Sequence, residues 1–323
     1  MNTAHALSIV LCSVVAAHAS LAAAQNYPTR PIRVVVALAA GGPTDIVIRI
    51  VAAKMSEQLG QQLVIDNRAA AGGSVGGEIV ANAPADGYTL FAGANGTIAI
   101  SQSLFVKLPF SIARDFAPVA LVGNSPFAVM IHPGVPATSI KDLLALAKAK
   151  PGGINYGSSG QGGTGHLATE LLVMMTGVKF THVPYKGAGP ALIGLVGREV
   201  ELMISGLAAG LPYIKQKQVR AIAVTSVKRL PQLPDVPTVA DTVPGYEAGS
   251  WYAFLTRAGT PRAIIDRLNR EAVNAVNSPE VHSKLVASGV DPDPVTPEQL
   301  GAKIKIETVR WAKVVKAAGI KLQ

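Results

Sequence analysis

From Arg33 to Leu38 the chain runs Arg-Val-Val-Val-Ala-Leu, followed by Ala39, Ala40, Gly41, Gly42 and Pro43. An apolar stripe then recurs at Ile46, Val47, Ile50, Val51 and Ala53. A short β-branched run with no polar face reads as a strand covered on both sides. Small and turn-forming residues end it, and the stripe has the period of a helix packed on a sheet. Thr44 or Asp45 is the expected N-cap, and Asp45 stands one turn ahead of Arg49 for an ion pair. Strand, glycine loop and helix start together direct main-chain N–H groups and a positive helix pole at the loop, which suits an anion.

The unit recurs. Gln62 to Asp66 is a second expected strand, followed by a glycine loop (Ala70 to Gly77) and a short helix near Glu78 to Ala83. Tyr88 to Ala92 is a third, ending in Gly93-Ala94-Asn95-Gly96-Thr97. Strands that each enter a small-residue loop before a helix build a parallel, doubly wound α/β sheet. Ligands of such sheets sit beyond the carboxyl ends of the strands, which places Ala39–Thr44 and Gly93–Thr97 on one rim. In mid-chain the pattern returns as Ile154 to Tyr156, the loop Gly157 to Gly165, and a helix from His166 to Met175. Two such loops point to two lobes facing each other across a cleft.

Val119–Val122 and Phe127–Ile131 flank Gly123-Asn124-Ser125-Pro126, the expected crossing between lobes, and Leu230 to Pro237 reads as the return linker. Ser139 is the expected cap of a helix reaching Lys150. A strand from Glu247 to Leu255 carries Trp251 and Tyr252. Helices near Arg262–Asn277 and Pro297–Ala318 are expected to pack back on the first lobe. The chain of 323 residues, 49% hydrophobic, is long enough for two cores. The division expected is residues 25–124 with 235–323 as lobe one and 125–234 as lobe two.

Residues 1–25 carry no Lys, Arg, Asp or Glu, and Ala22-Ala23-Ala24 precede Gln25. That is the pattern of a secretory signal peptide over residues 1–24, with the periplasm of a Gram-negative cell as the expected location. The apolar run, interrupted by Ser13 and His18, is short for a membrane anchor. The single cysteine, Cys12, falls inside it, so a mature chain would have no thiol or disulfide. A net charge of +9 is left for solubility or for attracting anions. Lys and Arg are scattered, with no basic run interleaved with aromatics, which argues against nucleic acid.

Gly160-Gln161-Gly162-Gly163-Thr164-Gly165 satisfies G-x-G-x-x-G, but the acid that would hold a ribose is missing: Thr181, His182 and Val183 stand there. Neither loop contains Gly-Lys-Ser/Thr, so a nucleoside-triphosphate loop is excluded. Gly157-Ser158-Ser159-Gly160 is one residue short of a nucleophile elbow, although Ser158 or Ser159 with His166 keeps a secreted hydrolase as the alternative of a different class. The histidines have no metal-ligand spacing, and neither metal nor cofactor is expected. What remains are loops rich in hydroxyls and backbone donors. Ser158, Ser159, Thr164, Thr44 and Asn95 could donate to a carboxylate. Lys186 is either a charge at the cleft mouth or a solvated turn residue. Asp45 fits a structural capping role better, since it would repel an anion.

Beyond these readings, the ordered segments YPTRPIRVVVALAAGGPTDIVIRIVA, DNRAAAGGSVGGEIVANAPADGYTLFAG, INYGSSGQGGTGHLATELL, HVPYKGAGPALIGLVGREVELM and RAIAVTSVKRLPQLPDVPTVAD resemble the Bug proteins, as does the Trp251 strand running on into AGTPRAIIDRLN. These are the extracytoplasmic solute receptors of tripartite tricarboxylate transporters. The resemblance implies a type II periplasmic-binding-protein fold, in which two doubly wound lobes joined by crossing strands close on a small carboxylate. It implies a non-catalytic monomer that delivers to membrane permease subunits, or alternatively presents ligand to a sensor kinase. The implied ligand-binding residues are Leu38, Ala40, Gly41, Gly42, Thr44 and Asp45 in the first loop, and Asn95, Gly96 and Thr97 in the next. Ser158, Ser159, Gly162, Gly163, Thr164 and His166 follow from the mid-chain loop, with Lys186, Gly187 and Ser205 beyond it. Two departures from the family pattern stand out. Ala37-Leu38 replaces a common Pro-Phe, and Ile204-Ser205-Gly206 replaces an acid-bearing run that could pair with a ligand amine. A plain mono- or dicarboxylate in a widened pocket is therefore expected over an amino acid.

Overall fold

Strand β1 (Ile32–Val36) lies between β2 (Leu63–Asn67) and β3 (Thr89–Ala94), parallel to both. The computed structural model describes residues 27–69, 73–105 and 107–321. The expected signal segment, residues 1–24, and Ala70 to Gly72 of the second glycine loop lie outside the described residues. Helix α1 (Pro43–Leu59) follows β1, α2 (Ser74–Ala81) follows β2, and a π-helical turn (Gly96–Ile100) after β3 runs into α3 (Ser101–Leu104). A short α4 (Ile112–Asp115) leads into β4.

At Gly123–Pro126 the chain crosses between lobes as expected, but without leaving the sheet. β4 is one strand of 16 residues, Phe116–Ile131. Asn124, Ser125 and Pro126 pair with Trp251, Ser250 and Gly249 of the antiparallel β9 (Gly249–Arg257), whose other edge pairs with β3. Shifts of register between Pro118 and Ala120 and between Leu121 and Gly123 let the ladder continue through turn-forming residues. Beyond them, Phe127–Ile131 pairs with β7 (Leu202–Gly206) and β8 (Arg220–Val224). β5 (Asn155–Ser158) lies parallel to β7 and to β6 (Thr181–Pro184). The strand order is β2-β1-β3-β9-β4-β7-β5-β6, with β8 and β10 (Asp291–Pro292) also on β4. β4 thus serves both halves: two α/β lobes joined by crossing strands, as expected.

Alternation along β4 sorts the second lobe. Phe127, Val129 and Ile131 face a core with α5 (Ile140–Ala149) and α6 (Thr164–Thr176). Ala128 and Met130 face α7 (Ala188–Val196) and α8 (Leu207–Lys215). In the first lobe, Val47, Ile48, Val51 and Met55 of α1 share a core with Leu268, Ala272 and Val276 of α9 (Arg262–Asn277). Val281 and Leu285 of α10 (Pro279–Ala287), a helix that the sequence reading passed over, join the same core.

Helix α11 (Pro297–Ala317) departs from expectation. Leu300 and Ile304 pack in the first lobe, but Trp311, Val314 and Val315 pack with Ile100, Leu104 and the second-lobe side chains Leu167 and Leu171. Twenty-one residues make a rod of about 31 Å, long enough to reach across. Val239, Val243 and Tyr246, from the segment between β8 and β9, also lie in that second-lobe core.

Candidate ligand site

Five of the helices that follow a strand are α1 after β1, α2 after β2, α6 after β5, α7 after β6 and α8 after β7; the turn after β3 starts at Asn95 and α9 after β9 at Pro261. All five have glycine at the N-cap (Gly42, Gly73, Gly163, Gly187 and Gly206), and none receives a side-chain cap. Two other α-helices are capped by a side chain, Ser139 accepting from the Asp142 N–H on α5 and Thr296 from the Gln299 N–H on α11. Helices α3, α4, α9 and α10 also lack such a bond but start at Ile100, Ser111, Pro261 and Ser278 rather than at glycine. The first turn of a helix has N–H groups without intrahelical partners and the positive pole of the dipole. Left uncapped at the carboxyl ends of the strands, they form a donor-rich rim suited to an anion.

The loops of that rim meet. Thr164 Cγ2, at the start of α6, lies 3.8 Å from where a Cβ on Gly96 would stand, so the two lobes touch here. At Gly73, whose φ is +93°, an added Cβ would lie 2.8 Å from Thr97 Cγ2 and 3.2 Å from the Ala37 Cβ. Only glycine has both the backbone freedom and the room at that corner.

The cap of α1 is Gly42, not Thr44 or Asp45, which lie buried inside its first turn. Asp45 reaches back instead. Its carboxylate accepts from the Gly41 N–H at 2.9 Å, Arg49 Nε at 2.9 Å and Asn67 Nδ2 at 3.0 Å. Burial alone would raise this carboxyl, but the bonds from Arg49, Gly41 and Asn67 outweigh it and hold Asp45 below the usual carboxylate range. A fixed negative charge therefore stands at the start of α1. The first turn of α6 contains no acid.

Several polar groups expected to face a ligand are engaged by the fold. Buried Asn95 donates to the Gly249 carbonyl at 2.8 Å and accepts from Ser250 Oγ at 3.1 Å, joining the end of β3 to β9. Thr97 Oγ1 donates to the Ala94 carbonyl. Among the described residues the hydroxyls of Thr44, Ser159, Thr164 and Ser205 make no such bond. Thr44 and Ser205 are buried, Thr164 half-buried and Ser159 exposed. Ala40, Gly41 and Lys186 are exposed, while Leu38, Gly42, Gly96, Gly162, Gly163 and Gly187 are half-buried.

Under the mid-chain loop lies a cluster that the sequence reading did not assemble. His166 of α6 and His182 of β6 stack with ring centroids 3.8 Å apart, and Tyr156 of β5 stacks on His182 at 4.8 Å. Tyr156 donates to Glu170 Oε1 at 2.6 Å, and the same oxygen lies 3.8 Å from His166 Nε2. Burial, then the neighbouring His182, pushes the His166 imidazole down to about 4, and burial lowers His182 as well. Both rings are neutral at pH 7. Ser158 Oγ and His182 Nε2 are 2.7 Å apart, the spacing of a nucleophile and its base. Yet Ser158 is 0% exposed and its hydroxyl also bonds within the loop, to the Gly160 carbonyl and N–H. In this structure the hydroxyl is closed to solvent.

Among the described residues, no group of three or more His, Cys, Asp or Glu is placed to hold a metal ion. No described helix is long and apolar enough to cross a membrane.

Two α/β lobes with a glycine-edged rim are the build of a solute-binding receptor, and likeness to known proteins gives the class. Residues 47–320 match the family model described as "Tripartite tricarboxylate transporter family receptor". The chain belongs to that family, whose relatives include the Bug proteins. "Protein BugT" of Bordetella pertussis is 36% identical over 328 residues, covering 100% of both chains. The solved structure "R. palustris Rpa4515 with adipate" superposes with a TM-score of 0.78 at 39% identity, covering 91% of this chain and 99% of that one. "MatC (Rpa3494) from Rhodopseudomonas palustris with bound malate" gives 0.75 at 32% identity, covering 90% and 100%.

Proposed function

We propose that this protein is a periplasmic receptor that captures a small organic carboxylate between its lobes and delivers it to the membrane permease of a tripartite tricarboxylate-type transporter. One observation carries the proposal: uncapped, glycine-started helices gather at the strand ends of both lobes, and α6 among them has no acid to neutralise its pole. The carboxylate is held by the first-turn N–H groups of α6 and the hydroxyls of Thr164 and Ser159, with Thr44 and the Ala40–Gly42 backbone opposite. Gly96 and Gly187 give the ligand close approach to the main chain, Ser205 reaches in from the end of β7, and Lys186 adds charge at the mouth. Leu38 is the one large apolar side chain on the β1 loop and packs along the ligand's carbon chain. The adipate and malate named with two relatives are both dicarboxylates, which fits two facing sets of donors.

Lobe one is residues 25–124 with the chain from β9 onward, and lobe two begins at residue 125. The return boundary falls past the expected 234 because Val239, Val243 and Tyr246 pack in the second-lobe core, and α11 is a rod shared between the lobes. The mature chain is a monomer that begins after residue 24. Closure follows from contacts that the ligand makes with both lobes only when they are shut. The experiment is a thermal-shift and calorimetric panel of mono-, di- and tricarboxylates, aromatic acids and amino acids on refolded mature protein. A ligand at a hundredfold excess over its Kd is expected to add about 2.7 kcal/mol of stability. No shift from any carboxylate would overturn the proposal.

A further inference from the structure

We propose that His166 and His182 are positioning residues, a stacked pair of imidazoles that fixes which main-chain N–H groups of the Ser158–Gly163 loop face the cleft. The inference rests on the carboxylate-receptor function proposed above and gives that site its internal support.

The loop does not hold its own shape. Gly160 and Gly162 have φ of +130° and +74°, and one main-chain bond, from the Gly163 N–H to the Gly160 carbonyl at 3.1 Å, closes it. The Tyr185 N–H also holds the Ser158 carbonyl at 3.0 Å and the Ser158 hydroxyl donates to the Gly160 carbonyl at 3.1 Å; the remaining ties run through the imidazoles. The Gly162 N–H donates to His166 Nδ1 at 3.0 Å. The Gly160 N–H donates to Ser158 Oγ at 3.2 Å, and that oxygen is itself bonded to His182 Nε2 at 2.7 Å. The N–H groups of Gly160 and Gly162 are therefore turned inward. The intervening N–H groups of Ser159 and Gln161 make no bond to another described residue, and both residues are exposed. An alternation results, in which the amides of residues 160 and 162 serve the fold and those of 159 and 161 are left for a ligand.

That alternation requires an acceptor at His166 Nδ1. The ring proton must then sit on Nε2, directed toward Glu170, whose carboxylate is also held by Tyr156. Stacking at 3.8 Å with rings inclined by 16° locks the orientation of both imidazoles, so neither can turn without moving the other. The groups facing the pair are Tyr156 from β5, Glu170 from α6 and Ser158 from the loop itself. None of them is a spare acceptor for Gly162.

His166→Asn keeps an acceptor oxygen near the place of Nδ1, whereas His166→Leu removes it and keeps the bulk. Calorimetry with the carboxylate that the wild-type protein binds is expected to give the Asn variant an affinity within about threefold of wild type. The Leu variant is expected to lose at least tenfold. Ser158→Ala, a smaller change that tests the His182 link, is expected to weaken binding as well, and it keeps the test open should the Leu variant not fold. Amide hydrogen exchange supplies a second readout that needs no ligand: the Gly162 N–H should be protected in wild type and Asn, and fast in Leu. Wild-type affinity in both Leu and Ala variants, or unchanged Gly162 protection in Leu, would overturn the proposal. If the wild-type protein binds no carboxylate at all, the receptor function is what fails, and Gly162 exchange still decides whether His166 holds the loop.

Discussion

Gly165 of α6 and Ile204 of β7 meet so closely that a Cβ on Gly165 would overlap the Ile204 carbonyl oxygen. The obstruction is backbone, which cannot rotate away as a side chain would. Gly165→Ala is therefore expected to cost about 1–3 kcal/mol by overpacking, against the usual gain of alanine in a helix. Gly189→Ala in α7, where nothing lies within 4 Å of the new methyl, is expected to stabilise by about 0.5 kcal/mol. Urea midpoints of the two variants should move in opposite directions.

Stability should fall as the medium is acidified below neutrality. An unfolded histidine takes up its proton near pH ~6.5, whereas burial and His182 hold folded His166 to about 4. The unfolded chain thus binds the proton first. The contribution is complete above about pH 6.5 and is lost as the pH drops to about 4, with an upper bound of about 3 kcal/mol. Asp115 acts in a lower window, because Arg114 and the Ser111 N–H hold it at about 2 and its contribution disappears between about 4 and that value. Denaturation midpoints at pH 7.5, 5.5 and 4.5 should show the first slope, and His166→Asn should flatten it.

Asp45 supports its loop with a charge that would oppose the anionic ligand proposed above. Asp45→Asn keeps the shape but cannot accept from Gly41, Arg49 and Asn67 with the strength of a carboxylate, at an expected cost of about 1–3 kcal/mol of stability. Removing a negative charge from the start of α1 should at the same time tighten carboxylate binding two- to fivefold, equivalent to about 0.3–1 kcal/mol. Denaturation and calorimetry on one preparation would show the two changes with opposite signs.

Tyr246, buried in the segment that returns from β8 to β9, donates to the Ala168 carbonyl of α6 at 2.9 Å. Tyr246→Phe should cost about 1 kcal/mol, visible as a lower midpoint, with ligand affinity unchanged because the bond is made one turn inside α6 and not by the N–H groups at its start. A loss of affinity instead would mean that this segment sets the position of α6.

The elements legible in the sequence were those with local signals. Arg262–Asn277 was placed by its two-faced pattern, Ser139 by its position before an apolar run, and the glycine loops by composition. β4 is not legible as one strand because Gly123 and Pro126 are turn formers, and pairing with β9, and at Gly123 also with β10, keeps them extended. α10 was missed because its buried stripe is two residues, Val281 and Leu285. The site was legible as backbone and poorly legible as side chains. Asn95, Thr97 and Ser158 carry the groups expected to bind a ligand, but each meets a partner within the fold. The pairing of His166 with His182 joins a helix to a strand across a parallel sheet, and no spacing in the chain announces it.

The five helix starts left to glycine have one more consequence. A lysine or arginine that recognises an anion is a discrete charge, and a histidine carries one that is present only when the ring is protonated. Main-chain poles do neither: they have no proton to lose and no long side chain to order. Above the pH at which His166 titrates, capture should therefore follow the ionisation curve of the ligand alone. Apolar rim side chains such as Leu38 are left to measure its length and shape.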